Sequence, residues 1–188
     1  MNRLTNSIKL AKRINVIGTS GSGKSTFART LATRLQYPYI EMDALYWLPN
    51  WTGKPDEKFE SSLQQAIAPT TWVLDGNYSR TQPIKWAAAD TVIWLDMSRW
   101  LTHYRVTKRS ITRALSGQEL WSGNTESMTR SFLSRESVIL WSITSYKRTK
   151  QRYDQLTQTP PPQYEHLNFI RLRSPKQAAT FLANVSSP

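Results

Sequence analysis

A run of nine residues near the start of the chain has the composition and spacing of a phosphate-binding loop. The run consists of Gly18, Thr19, Ser20, Gly21, Ser22, Gly23, Lys24, Ser25 and Thr26. Residues 18–25 fit the pattern G-x-x-x-x-G-K-[ST], with a strand-like apolar run before them and an amphipathic helical pattern after them. We expect backbone N–H groups to face the phosphates, Lys24 to reach the β- and γ-phosphates, Ser25 to ligate Mg²⁺, and Thr26 to pack or contact the α-phosphate region. The motif predicts a nucleoside triphosphate bound with Mg²⁺.

Two aspartates follow apolar runs that are typical of buried parallel strands. Asp75 follows Trp72-Val73-Leu74, and Asp96 follows the run 91–95. Either could hold the water shell of Mg²⁺, and we rank Asp75 first. Neither is followed by a glutamate that would polarise water, and the chain has no [NT]-K-x-D motif for reading guanine. These absences favour phosphoryl transfer to an acceptor over GTP or ATP hydrolysis.

The elements that must position these residues alternate between strand and helix. Five strand candidates are separated by helical patterns, and they lie at residues 14–17, 37–42, 72–74, 91–95 and 167–172. This alternation predicts an α/β fold with a five-stranded parallel sheet in a three-layer α/β/α sandwich, the P-loop NTPase architecture. The length of 188 residues favours one domain over 1–188.

Residues 99–152 change to long helical patterns, and we call this segment the lid. One helix is predicted from an apolar face at Leu101, Tyr104, Ile111 and Leu115, followed by a mobile loop at 116–124. A second helical stretch, either continuous or broken in two, follows over 125–156. Lysine and arginine exceed acids in the lid by eight charges.

Three arginines of the lid recur at every fourth residue, which places them on one helix face. They are Arg105, Arg109 and Arg113. Like charges stacked in this way repel each other, and an anion bound between them would remove the conflict. A solvated basic face is the alternative. Arg130 and Arg135 are weaker candidates for the same role.

The composition limits the classes of protein that remain. The chain has 25 Lys+Arg, 13 Asp+Glu, a net charge of +12 and no cysteine. The charge predicts anionic partners: phosphates, nucleotides, nucleic acid or an acidic membrane surface. The lack of cysteine excludes disulfide scaffolds, thiolate metal sites and cysteine nucleophiles. No apolar run approaches the ~20 residues of a membrane span, so we expect no membrane partner. The missing cysteines and the need for ATP favour a cytoplasmic location. The basic first residues favour a ragged terminus, with an organelle-targeting arm as the alternative.

Several segments resemble the adenylate-kinase-like small kinases and, more closely, the DNA topology modulation protein family related to FlaR. The resemblance covers about residues 12–184 and is carried by these stretches: 13–26, 41–47, 75–80, 119–124, 132–137 and 171–175. It implies a small kinase in which Asp75 supports Mg²⁺ and lid arginines close on the transferred phosphate. It also implies that the loop holding Arg173 and Pro175 passes over the adenine ring.

The acceptor side is predicted from an acidic pair and one further arginine. Glu41 and Asp43 would lie on one side of the second strand if that strand continued. In shikimate- and gluconate-type kinases a similar pair holds Mg²⁺ through water and binds the acceptor hydroxyl, which assigns Glu41 to the metal and Asp43 to the acceptor. Arg80 resembles the acceptor-phosphate arginine of adenylate kinases. Its segment is one residue longer and lacks their proline, which disfavours a nucleoside monophosphate as acceptor.

The sequence therefore predicts an ATP-dependent small-molecule or nucleotide kinase whose acceptor and oligomeric state are not specified. Lys24, Asp43, Arg80 and Arg109 are the predicted catalytic residues. A nucleic-acid-binding ATPase or regulator of DNA topology, using the basic lid, is the main alternative, and an inactive scaffold is a third. The aromatic residues Tyr46, Trp47 and Trp51 either wall an acceptor pocket or pack under the next helix. His103 and His166 are interpreted as structural.

Overall fold

The computed structural model describes residues 11–125 and 138–185, except for the side chains of 138–142. A five-stranded sheet forms its centre, with strand order β2-β5-β1-β6-β7 and every neighbouring pair parallel. The strands are β1 (Arg13–Gly18), β2 (Tyr39–Glu41), β5 (Trp72–Asp75), β6 (Thr91–Leu95) and β7 (Asn168–Leu172). The predicted α/β class and the five-stranded parallel sheet are confirmed.

Helices cover both faces of this sheet, which gives three layers. They are α1 (Lys24–Leu35), α2 (Met42–Tyr46), α3 (Asp56–Ala66), α4 (Gln82–Ala88), α5 (Arg99–Ser116), α6 (Val138–Gln158) and α7 (Pro175–Ala183). Successive side chains of each strand point to opposite faces of the sheet, so each face packs in a hydrophobic cluster of its own. On one face Val73 and Ile93 pack with Phe27 of α1 and Phe181 of α7. The other face has its own cluster, which includes Leu74, Trp94, Phe59, Trp86 and Tyr153.

The second strand is shorter than the sequence predicts. It ends at Glu41, and α2 begins at Met42. A small antiparallel hairpin follows, formed by β3 (Trp47–Leu48) and β4 (Thr52–Gly53) around a 3-10 turn at Pro49–Trp51. The prediction that strand alternation aligns Glu41 with Asp43 is therefore wrong, because Asp43 lies in the first turn of a helix.

The first lid helix, α5, is turned differently from the prediction. Its buried residues are Thr102, Val106 and Ser110. Two members of the predicted apolar face are largely in solvent, since Tyr104 is 64% exposed and Leu115 is 76% exposed. The helix instead directs the neighbouring face, with Thr102 and Val106, at the phosphate-binding loop, where a Cβ on Gly21 would overlap the Thr102 carbonyl oxygen.

The loop after α5, which was predicted as a mobile loop at 116–124, is hydrogen-bonded to the β3–β4 hairpin at its far end. Asn124 accepts a hydrogen bond from the backbone N–H of Trp51 and donates one to the carbonyl oxygen of Leu48. The Ser122 hydroxyl donates to the carbonyl oxygen of Trp47 at 2.7 Å. Of the second predicted lid helix, α6 is described, whereas Arg130, Arg135 and the rest of 126–137 lie outside the described residues. None of the helices described is long and apolar enough to cross a membrane.

Candidate active site

The phosphate-binding loop connects β1 to α1 at the carboxyl edge of the sheet. Gly23 has φ of 89° and stands at the N-terminus of α1, so the turn into the helix uses a backbone conformation that favours glycine. Lys24 and Ser25 are the first two residues of α1, and Thr26 beside them is exposed. The buried hydroxyl oxygens of Thr19 and Ser22 make no hydrogen bond in the part of the chain that the structure describes. Polar groups left unpaired in a buried loop are typical of a ligand site.

Asp75 faces the lysine of this loop. It ends β5, is 3% exposed, and its Oδ1 lies 3.9 Å from Lys24 Nζ. That oxygen has no hydrogen-bond donor among the described residues, while Oδ2 accepts a hydrogen bond from the Tyr39 hydroxyl. One carboxylate oxygen is thus fixed by Tyr39, and the other lies on the side of Lys24.

Glu41 lies beside Asp75 on the adjacent strand. The two residues are register partners in the parallel β2–β5 pair, so their side chains leave the same face of the sheet. Burial raises the pKa of Glu41, a hydrogen bond from Trp121 lowers it, and the nearby Asp75 and Asp43 raise it further. Arg29 lies 3.7 Å from the Glu41 carboxylate. The structure therefore brings together the two acids predicted to serve the metal.

Asp43 has a tyrosine partner that the sequence did not indicate. The Tyr78 hydroxyl donates a hydrogen bond of 2.6 Å to Asp43 Oδ1. Burial raises the pKa of Tyr78 above its ordinary value, and the charge of Asp43 raises it further. Because Tyr78 stays protonated, it acts as a donor that fixes one oxygen of Asp43 and leaves the other available for an acceptor hydroxyl.

Asn77 holds the start of the phosphate-binding loop against the turn after β5. Its side-chain amide donates to the carbonyl oxygen of Gly18 at 2.7 Å and accepts from the backbone N–H of Gly18 at 3.1 Å. This two-way contact links the loop to the Asp75–Tyr78 turn. Sequence reasoning missed it, and the only signal available was the position of Asn77 two residues after Asp75.

Lys85 is a second residue that the sequence analysis missed. It belongs to α4 and is fully buried. Its ammonium donates to the carbonyl oxygens of Gly76 and Asn77 and contacts Met42 Sδ at 3.7 Å. Burial lowers the pKa of Lys85 to about 7, and the charge of Arg152 also lowers it. These hydrogen bonds from Lys85 stabilise the turn that carries Asp75, Asn77 and Tyr78.

Two of the three predicted lid arginines reach the phosphate-binding loop. Arg105 Nη1 donates to the carbonyl oxygen of Ser22 at 3.4 Å, and Arg109 Nη2 lies 3.4 Å from the Ser20 hydroxyl. Arg113 follows one turn further along α5. The helix face formed by these arginines therefore meets the loop at Arg105 and Arg109. Part of the basic excess of the lid thus lies at the phosphate site.

Arg80 is not placed at the phosphate-binding loop. Its guanidinium forms an ion pair of 2.5 Å with Asp56 of α3. The same group lies over the ring of Tyr46 at 4.8 Å and over the ring of Phe59 at 5.4 Å. The structure thus gives Arg80 a partner other than an acceptor phosphate, and its predicted catalytic role receives no support from this geometry.

The carboxylate of Asp96 is paired with two basic side chains. Its carboxylate accepts hydrogen bonds from Lys150 at 2.8 Å and from Arg171 at 2.6 Å. Asp154 of α6 also pairs with Arg171, at 2.7 Å. The choice between the two strand-end aspartates therefore favours Asp75, because Asp96 belongs to an ion-pair network that joins β6, β7 and α6.

The remaining predicted residues have simple surroundings. Ser174 caps α7 by accepting a hydrogen bond from the backbone N–H of Gln177, with Pro175 in the first turn, and Arg173 is exposed. Their turn follows β7, two strands from β1, at the same edge of the sheet as the phosphate-binding loop. His103 accepts a hydrogen bond from Arg99, and His166 lies 3.1 Å from the carbonyl oxygen of Trp86.

The aromatic residues after Asp43 were predicted either to wall an acceptor pocket or to pack under the next helix, and they differ in their surroundings. Tyr46 packs edge-on against Phe59 of α3, as the packing alternative predicts. Trp47, Trp51 and Trp121 form a row of edge-to-face contacts with ring centroids 5.4 and 6.4 Å apart. Trp121 also contacts Glu41, so this row lies beside the acidic residues.

The central parallel sheet, the glycine-rich turn after β1 and the lysine at the start of α1 define the P-loop NTPase fold. A family model described as "ATPase family associated with various cellular activities (AAA)" matches residues 14–96, which is less than half of the chain. In structure the chain is similar to shikimate kinase from Acinetobacter baumannii in complex with shikimate. The TM-score is 0.55 at 14% identity, over 96% of this chain and 94% of that one. This likeness supports the fold.

Two curated relatives are similar to part of the sequence. A bifunctional pantoate ligase/cytidylate kinase of Synechococcus sp. (strain JA-2-3B'a(2-13)) is 33% identical over 99 residues, which is 48% of this chain and 18% of the relative. The uncharacterized protein YqaC of Bacillus subtilis (strain 168) is 30% identical over 69 residues, covering 36% of this chain and 39% of that protein. The chain therefore spans less than two fifths of the length of either relative. The resemblance to the DNA topology modulation family stays a prediction.

Proposed function

We propose that the chain is an ATP-dependent phosphotransferase that moves the γ-phosphoryl group of ATP to an acceptor hydroxyl. The observation that carries the proposal is the arrangement around Lys24. A buried carboxylate oxygen of Asp75 that accepts no described hydrogen bond lies 3.9 Å from its ammonium, and lid arginines lie on the same loop. The kinase named in one partial relative and the shikimate-kinase-like fold agree with this function.

The residues present fit Mg²⁺ bound together with ATP. Ser25 supplies a hydroxyl at the start of α1, and the free oxygen of Asp75 and the Glu41 carboxylate are suited to hold waters of the ion. In the described ranges no group of three or more acidic, histidine or cysteine residues is arranged to bind a metal on its own. Mg²⁺ commonly keeps several waters and takes its other ligands from substrate phosphates. When bound, it would neutralise charge that develops on the phosphate oxygens.

The side chains divide the remaining work between donor and acceptor. Lys24, Arg105 and Arg109 orient the phosphates and offset the charge on the transferred group. Asp43, held by Tyr78, orients the acceptor hydroxyl. The hydroxyl oxygen forms the new P–O bond, the bond between the β,γ-bridging oxygen and the γ-phosphorus breaks, and ADP leaves. The proton of the hydroxyl passes to Asp43 and then to solvent.

Four finer assignments belong to the same proposal. The segments quoted above support membership of the DNA topology modulation family, and the lack of cysteine together with the use of ATP supports a cytoplasmic location. The chain would act as one domain, with the lid at 99–152 closing over ATP. Arg113, Arg173 and Pro175 would complete the nucleotide site.

The proposal is tested by measuring ADP release with Mg²⁺ and a broad set of hydroxyl acceptors, comparing Lys24→Ala with Lys58→Ala. Lys58 is an exposed lysine of α3, so its variant makes the same chemical change outside the site. We expect Lys24→Ala to lower kcat roughly a hundred- to a thousandfold, because a preorganised cation at the transferred group is lost. Lys58→Ala should keep the parent rate. Equal activity of the two variants, with circular dichroism showing both folded, would remove the loop from the mechanism.

A further inference from the structure

Asn124 joins the segment after α5, residues 120–125, to the β3–β4 hairpin, and we call this segment the strap. Asn124 is 5% exposed. Its amide nitrogen donates to the carbonyl oxygen of Leu48 at 2.9 Å and to that of Trp121 at 2.8 Å. Its amide oxygen accepts from the backbone N–H of Trp51 at 2.8 Å. Both the donor and the acceptor groups of this buried amide are thus used, which fixes the strap against the hairpin.

The contact between strap and hairpin holds the backbone in a conformation that residues other than glycine rarely adopt. Asn50, Trp51 and Ser122 have φ of 58°, 54° and 57°, and they are three of the four such residues in the described ranges. The Ser122 hydroxyl also donates to the carbonyl oxygen of Trp47 at 2.7 Å. Strained backbone persists only where neighbouring contacts determine it, and it is concentrated at functional sites. The strap is therefore a candidate for a role in the reaction.

The hairpin leads directly to the residues predicted to orient the acceptor. Helix α2 carries Asp43 in its first turn and continues into β3 at Trp47. The ring of Tyr46 packs against that of Tyr78 with centroids 5.1 Å apart, and the Tyr78 hydroxyl donates to Asp43. A Cβ on Gly53 of β4 would overlap the Tyr46 hydroxyl, so both strands of the hairpin lie close to this tyrosine. A shift of the hairpin would therefore move the Asp43–Tyr78 pair.

The other end of the strap follows the helix that lies on the phosphate-binding loop. Arg105 and Arg109 of α5 contact Ser22 and Ser20 of that loop. The helix has little room to move there, because a Cβ on Gly21 would overlap the backbone of α5. One continuous stretch of chain, residues 99–125, thus contacts the phosphate-binding loop at one end and the hairpin at the other.

We propose that Asn124 is a positioning residue that couples ATP binding to the acceptor side of the site. The inference rests on the proposed phosphotransferase function and concerns how its donor and acceptor regions are aligned. ATP bound to the loop and to Arg105 and Arg109 fixes α5, and the strap passes this constraint to the hairpin and so to Asp43. Asn124 acts through the hairpin and needs no contact with either substrate.

Hydrogen–deuterium exchange of the full chain tests this coupling, with and without Mg²⁺ and adenylyl imidodiphosphate at about a hundred times its Kd. At that ratio, exchange slows by up to about a hundredfold wherever opening must release the nucleotide. We expect residues 18–25 and the hairpin at 47–53 both to slow by at least about tenfold. Slowing at 18–25 without slowing in the hairpin would overturn the inference and leave the proposed function standing. Slowing in neither segment would overturn both.

Variants test whether the strap carries the effect. In Asn124→Ala, which removes two hydrogen bonds to the hairpin, the hairpin should slow by less than about twofold, while residues 18–25 keep the parent slowing. Ser122→Ala removes one such bond and should reduce the slowing of the hairpin severalfold. Asn184→Ala, a matched change at an exposed position after α7, should alter neither segment. Parent-like slowing of the hairpin in Asn124→Ala would contradict its role, and Ser122→Ala decides by the same criterion if Asn124→Ala does not fold.

Discussion

At the scale of single residues, the turn after β5 depends on one buried and one half-buried polar side chain. Lys85 donates to the carbonyl oxygens of Gly76 and Asn77, and the side chain of Asn77 in turn donates to the carbonyl oxygen of Gly18. Gly76 has φ of 147° and a Cβ there would come within 2.7 Å of Met42 Cβ, so the turn has little room to change. These residues position Asp75 and Tyr78 without belonging to the phosphate-binding motif.

Lys85 makes stability depend on pH in a predictable direction. Its pKa is lowered to about 7 in the folded chain, while an unfolded lysine keeps its proton up to about pH 10.4. Between these values the unfolded state binds more protons, so the free energy of unfolding rises with pH. We expect the difference in this energy between the parent and Lys85→Met to rise by roughly 1.4 kcal/mol per pH unit above about pH 7.

Urea unfolding followed by tryptophan fluorescence, from about pH 6 to about pH 9, measures this difference. Lys58→Met serves as control, because Lys58 is exposed on α3 and its variant should differ from the parent by the same amount at every pH. A pH-independent difference for Lys85→Met would show that Lys85 keeps an ordinary pKa in the folded chain.

At the scale of elements, α5 and the phosphate-binding loop fit together through small residues. Gly21 has φ of 77°, and a Cβ there would lie 2.8 Å from Val106 Cγ2. This close approach brings Arg105 and Arg109 onto the loop. The lid helix is thus positioned by the glycine that also lets the loop turn.

Arg109 should affect catalysis far more than another cation of the same helix. We expect Arg109→Ala to lower kcat by about a thousandfold, the lower range for an arginine that offsets charge on a transferred phosphoryl group. Lys108→Ala removes the same charge from an exposed position of α5 and should keep kcat within about twofold, since exposed charges contribute little. Steady-state kinetics with saturating ATP compares them. A similar, small effect of both substitutions would mean that α5 only packs on the loop.

Sequence predicts the elements whose signals are local and fails where the decisive contact is distant. The phosphate-binding loop, α1 and the strands ending in Asp75 and Leu95 are recognisable because glycine spacing and apolar runs need no knowledge of neighbours. The local sequence predicts an exposed lysine at Lys85, because nothing nearby in the sequence shows that α4 buries it. The buried face of α5 differs from the predicted one because packing of the helix on Gly21 outweighs the apolar pattern at Tyr104 and Leu115.

At the scale of the whole molecule, several of the basic side chains behind the net charge of +12 contact other parts of the same chain. The lid contributes much of the basic excess, and two of its arginines lie on the phosphate-binding loop. Others hold the fold together, as Lys150 does by binding Asp96. Two of the acids lie outside this basic segment, with Glu41 at the end of β2 and Asp43 in the first turn of α2.

The most direct test follows the fate of the γ-phosphoryl group by ³¹P NMR in a mixture of the full chain, ATP, Mg²⁺ and the acceptor panel. Phosphoryl transfer predicts a phosphomonoester signal that grows in equal amount with ADP, while inorganic phosphate stays at the level of a protein-free blank. Lys24→Ala should give neither signal above that blank. Conversion of ATP to ADP and inorganic phosphate alone, at a rate that no acceptor changes, would contradict the account.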